Sequence, residues 1–245
     1  MTYRALDPGA IIGTCETLRS RVTERFPESG LSRVAAELLL VARGSVSRLE
    51  RLRSPSWPIR SGVILGLFTI LAATAGLILS IPAPATAPGV VEFLQGLESG
   101  INDVVFLGVA VFFLITLEGR IKRRAALRVR HELRSIAHVV DMHQLTKDPE
   151  MLLSPAMATR SSPRREMTRF ELARYLDYCS EMLSLTSKLA ALFAQYFDDP
   201  VILNAVNDIQ ALTTGLSAKI WQKIVILDTV VLRAEAPQLR ADMEA

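Results

Sequence analysis

The stretch Ser61–Ile81, SGVILGLFTILAATAGLILSI, runs for 21 residues without one charge. A hydrocarbon core about 30 Å thick takes roughly 20 apolar residues as a helix. Inside it every backbone amide must be satisfied within the segment, which leaves helix as the form. Pro82 and Pro84 follow at once and cannot continue it. A helix buried in a soluble core is rarely this long and this uniformly apolar. The reading is a transmembrane helix at 61–81.

A second run, Val104–Leu117 (VVFLGVAVFFLITL), has only 14 strictly apolar residues. By length alone it fits a core or re-entrant helix as well as a span. Its flanks decide the matter. Five arginines lie between Arg43 and Arg60, and seven Lys or Arg between Arg120 and Arg134. From Pro82 to Asp103 there are none, only Glu92, Glu98 and Asp103. Positive charge resists translocation, so both basic flanks belong on the cytoplasmic face. Two flanks on one side require two crossings. The expectation is a two-span hairpin in the cell inner membrane, with transmembrane helix 2 at 104–118 and both termini cytoplasmic. No signal peptide is expected, because the first 30 residues hold no n-region and h-region.

The soluble-looking remainder reads as helical. Half of the chain is hydrophobic and 22% is charged, which excludes a disordered chain, and two distant cysteines exclude a disulfide scaffold. Residues 1–60 hold two amphipathic helices. The first starts at Asp7–Pro8, a capping side chain followed by proline, and stops at Pro27 with Gly30 in the turn. The second begins near Ser32 and closes at Pro55. Residues 82–103 form a short extracytoplasmic loop with an interfacial helix, or a helix leading into the second span, over Val90–Ile101.

After Leu117 the apolar stripe Ile121, Ala125, Val129, Leu133, Ile136, Val140 continues at steps of four and three. It predicts a cytoplasmic extension of the second span over 119–147. Residues 148–169 read as a short helix, started by Asp148–Pro149, and a Ser/Pro/Arg-rich linker. Residues 170–233 read as a helical hairpin, whose first helix has two apolar seams and whose second restarts at Asp199–Pro200. The tail 234–245 is expected to fray. The fold class is an all-α integral membrane protein with a C-terminal cytoplasmic bundle.

Four residue sets bear on function. The basic positions Arg53, Arg60, Arg120, Lys122, Arg123 and Arg124 fall at headgroup level, where they set topology and attract lipid. They lack interleaved aromatics, and no nucleic-acid binding is expected. In the first span Gly62, Gly66, Ala73 and Gly76 make a small-residue face that lets helices approach closely, within the hairpin or against another protein. All three histidines fall in 131–143, and His131, Arg134, His138 and Asp141 form a polar face opposite the apolar stripe, suited to a partner. His138 and Asp141 share a helix face as weak metal ligands. His131 and His138, about 10.5 Å apart along a helix, cannot share an ion, and His143 lies about 120° round from His131.

No nucleophile triad, phosphate-cradling loop or HExxH spacing is present. No cofactor is expected. The function expected is non-enzymatic: a membrane-anchored scaffold or accessory subunit that self-associates or docks other membrane subunits. The alternative is an oligomeric channel, although neither span has a charge in its middle. A membrane-bound metal enzyme built on His138 and Asp141 is a distant third.

Overall fold

The computed structural model describes residues 5–54, 57–80, 89–147, 149 and 167–243. Among them there is no strand. Six helices follow one another among the described residues: α1 (Pro8–Arg25), α2 (Gly30–Arg53), α3 (Trp57–Ser80), α4 (Val90–Leu145), α5 (Arg169–Tyr196) and α6 (Pro200–Met243). Contacts divide the chain into a unit of residues 1–51 and 126–245 and a second unit of residues 52–125.

Local chemistry sets most helix starts. The Asp7 carboxylate accepts the Gly9 N–H at 2.8 Å, with Pro8 at the first helical position. Asp199 does the same for α6, accepting from Val201 and Ile202. α5 opens on a reciprocal box, in which the Thr168 hydroxyl accepts the Glu171 N–H and the Glu171 carboxylate accepts the Thr168 N–H. α2 starts at Gly30, two residues earlier than its apolar periodicity predicts, because the Ser29 hydroxyl caps it through the Ser32 N–H. The tight turn before it puts Glu28 at φ 59°, a left-handed backbone that disfavours side chains by about 1–2 kcal/mol.

The first unit is a bundle of α1, α2, the end of α4, α5 and α6. α5 is its centre, as the double seam requires. Leu176, Met182, Leu183 and Leu189 are fully buried, and the buried Thr186 hydroxyl donates to the Met182 carbonyl at 2.8 Å. α1 lies antiparallel to α5. The Gln195 amide brackets the Leu6 backbone, Arg21 pairs with Glu181 at 2.9 Å, and Phe26 meets Tyr175 edge-on. α2 runs back along α4, with Arg48 on Glu132 at 2.6 Å. α6 packs on α5, and Lys223 donates to the Gln144 carbonyl at the end of α4. These ion pairs are one-third or more exposed, so each contributes well under about 1 kcal/mol and mainly fixes register. Cys15 and Cys179 are buried in separate places; burial pushes the thiol of Cys15 up to about 11 and that of Cys179 up to about 12.

The second unit pairs α3 with the first part of α4, antiparallel. A Cβ added at Gly66 would lie 3.4 Å from Leu114 Cδ1, and Lys122 Nζ donates to the Ser54 carbonyl at 3.3 Å. The facing sides are half-buried at Val63, Leu67 and Ile70 of α3 and at Leu107, Val111 and Leu114 of α4.

α4 is one helix of 56 residues, in which the segment Val90–Ile101 leads directly into the apolar run and its extension, one of the two arrangements the sequence left open. Isolated glycines such as Gly96 and Gly100 cost only about 1 kcal/mol each in a helix, and the apolar spacing runs through them. The stripe is buried only from Val129 onward; Ile121 is 42% exposed. Among the described residues one helix, α4, is long and apolar enough to cross a membrane, and the apolar stretch of α3, Arg60–Gly76, is shorter. A hairpin with two spans is therefore not established by helix length. α6 extends as helix to Met243, past Arg233, where the periodicity of the hairpin ends. The Pro-rich start of the loop, Asp148 as a cap and the linker over 154–166 lie outside the described residues.

Candidate membrane-facing and partner surfaces

Unit 52–125 turns its apolar side chains outward. Ile64, Leu65, Phe68 and Leu71 of α3 and Val104, Phe106, Val109 and Phe112 of α4 are each more than half exposed. None of the most apolar window of α4 is buried. Soluble monomers rarely expose contiguous apolar patches beyond a few hundred Å².

The basic positions gather at one end of this hairpin. Arg60, Arg120, Arg123 and Arg124 are exposed, Trp57 is 70% exposed on the turn before Arg60, and the Arg120 guanidinium stacks on the Phe113 ring, 5.5 Å from its centroid. Lys122 is half-buried by its reach to Ser54. Arg53 ends α2, and its side chain lies outside what is described. The small-residue face divides: Gly66 is used by Leu114, whereas Gly62 and Gly76 have open space where a Cβ would stand, and Ala73 is exposed.

In the bundle, His131, Arg134 and His138 are exposed on α4, and Asp141 is half-buried, accepting from the Gln144 amide at 2.7 Å. No group of three metal-ligating side chains occurs among the described residues, so His138 and Asp141 have no third ligand there.

A groove of about 650 Å³ between α2 and α4 was not legible from spacing alone. It takes in Gly30, Arg33 and Glu37 from α2 and His131, Ser135, Val139 and His143 from α4. Helical angles place His143 about 120° from His131. The groove nevertheless reaches both, because it follows the ridge 131–135–139–143, which drifts about 40° at each step of four. Within it the His143 imidazole lies on Gly30, where an added Cβ would overlap Cε1. Glycine is required here by contact, and no local motif announces it.

His143 is held below the ordinary imidazole range, first by burial and then by the Arg33 guanidinium and the Lys147 ammonium. The folded chain thus binds fewer protons at this site than the unfolded chain. Its contribution to stability is complete above the unfolded pKa of about 6.5 and is lost as the pH falls through the folded value. Denaturation midpoints measured from pH 7.5 to 5 should fall for the wild-type chain and fall less for His143→Gln. In Gly30→Ala the imidazole must swing out. That variant should lose about 1 kcal/mol of stability, and NMR titration should find His143 returned toward an ordinary imidazole value.

No protein family, curated protein or solved structure matches the chain. Fold and surfaces together define its class: an all-α protein carrying one helix long and apolar enough to cross a membrane.

Proposed function

We propose that the chain is an integral membrane scaffold or accessory subunit. In this reading α3 and the first part of α4 both cross the inner membrane, and the bundle is held on the cytoplasmic side for self-association or for docking other membrane subunits. The observation that carries the reading is the outward apolar surface of residues 52–125. In water it would cost about 25 cal/mol for each Å² left uncovered, and lipid removes that cost.

The antiparallel pairing of α3 and α4 supports two crossings. Carrying α4 alone across would leave the outward face of α3, including Phe68 and Leu71, in water. Charge supports the orientation. The basic end holds Arg60 and Arg120–Arg124, and the other end holds Glu98 and Asp103. The exposed face His131, Arg134, His138 with Asp141 is the partner surface on the bundle.

The test is the composition and mass of the complex after gentle extraction from native membranes, with the chain tagged at its C-terminus. Co-purifying membrane proteins at fixed ratio, or a homo-oligomer, support the reading. A monomer without partners overturns it, and a closed ring of protomers directs the next measurement to conductance.

A further inference from the structure

We propose that the basic end of the α3–α4 hairpin is a binding site for the headgroup of an anionic phospholipid, selective against zwitterionic lipids. The inference rests on the membrane reading and names the lipid chemistry that its basic end recognises.

The register that joins Lys122 to Ser54 and Leu114 to Gly66 sets Arg60 opposite Arg120, within about one helical turn. Trp57, one turn earlier on α3, then stands level with Lys122 and Arg123. These side chains come from two helices and converge at one height, where the outward apolar surface ends. Residues 51–91 contain no acid, and Glu118 is the single acid between 104 and 131. Charge at this height is therefore strongly positive. The stacking of Arg120 on Phe113 directs its guanidinium along the last apolar turn, where a lipid phosphate would lie.

The chemistry favours one occupant. Guanidinium groups bind phosphate oxygens through two parallel N–H donors, and an indole settles at the depth of lipid carbonyls and headgroups. A zwitterionic headgroup brings its own ammonium, which the arginine cluster repels. A phosphodiester with a neutral alcohol, such as phosphatidylglycerol, brings only the anion. A nucleic acid would offer the same phosphate but has nothing to place against Trp57 and Phe113 beside an apolar band.

Native mass spectrometry of the detergent-extracted full chain, titrated with dioleoyl phosphatidylglycerol and dioleoyl phosphatidylcholine, tests the site. Phosphatidylglycerol should bind at least about tenfold more tightly, at about fivefold per cation near the surface. Arg120→Gln/Arg123→Gln/Arg124→Gln should abolish most of that preference. Arg19→Gln/Lys188→Gln/Lys219→Gln, which removes equal charge from exposed bundle positions, should leave it intact. Because the first triple variant can fail to insert, the wild-type preference is also followed from 50 to 500 mM ammonium acetate, where screening should erode it. Equal binding of the two lipids, a salt-independent preference, equal loss in both triple variants, or co-purified nucleic acid displaced by neither lipid would each overturn the site. Extraction of the wild-type chain by alkaline carbonate would instead overturn the membrane reading. A chain that resists carbonate yet binds both lipids alike loses the headgroup site alone.

Discussion

An arginine in place of Val109 should cut the membrane-integrated fraction of the chain, read as resistance to alkaline carbonate extraction. Val109 lies in the middle of the apolar part of α4 and is 62% exposed. In the proposed arrangement that exposure is to hydrocarbon. A guanidinium at the centre of a span costs about 2.5–3.5 kcal/mol on insertion scales, roughly a hundredfold in the insertion equilibrium of that helix. The sign of the result is informative. If α4 stood in water, an exposed valine could become arginine with a change within about 0.5 kcal/mol and a gain in solubility. Met142→Arg, at a similarly exposed position of the bundle, is the control and should leave integration unchanged.

The second large effect belongs to the bundle. Leu183 is fully buried near the middle of α5, the helix that packs on two sides. Leu183→Ala removes most of its side chain from a site whose neighbours belong to several helices, so collapse into the space is restricted. The expected loss is about 2–5 kcal/mol, measured as a lowered denaturation midpoint of the detergent-solubilised chain. Leu40→Ala, at a residue 61% exposed on α2, should change the midpoint by less than about 0.5 kcal/mol. Equal losses at the two positions would mean that the bundle does not pack around α5.

Much of the helical architecture was legible because its signals are local. Asp7–Pro8 and Asp199–Pro200 each combine a capping carboxylate with a residue that tolerates only the first turn, and both cap in the expected way. The two seams of α5 required burial on two sides, and the side chains of both seams are buried from Leu172 to Phe193. Other boundaries rested on weaker signals. Thr168 and Glu171 form a capping box that fixes the start of α5 at Arg169, one residue before the boundary read from periodicity. Periodicity carried α4 from the apolar run through Val140, and it left open whether the segment Val90–Ile101 joined it; Gly96, Gly100 and Asn102–Asp103 are mild disfavours that the flanking apolar turns outweigh.

The candidate surfaces divide in the same way. The sequence by itself determined the all-α class, the two charge-free runs, and the opposition of a basic end to an acidic one. Composition and spacing along one segment are enough for these. Tertiary structure decided which of the small residues are used: Gly66 receives Leu114, while Gly62 and Gly76 stay open. It also decided that His143 rests on Gly30 and that Lys223 caps the end of α4 through the Gln144 carbonyl. Those contacts join residues many turns apart in the chain. Periodicity fixes which face a residue occupies, and only packing fixes what that face meets.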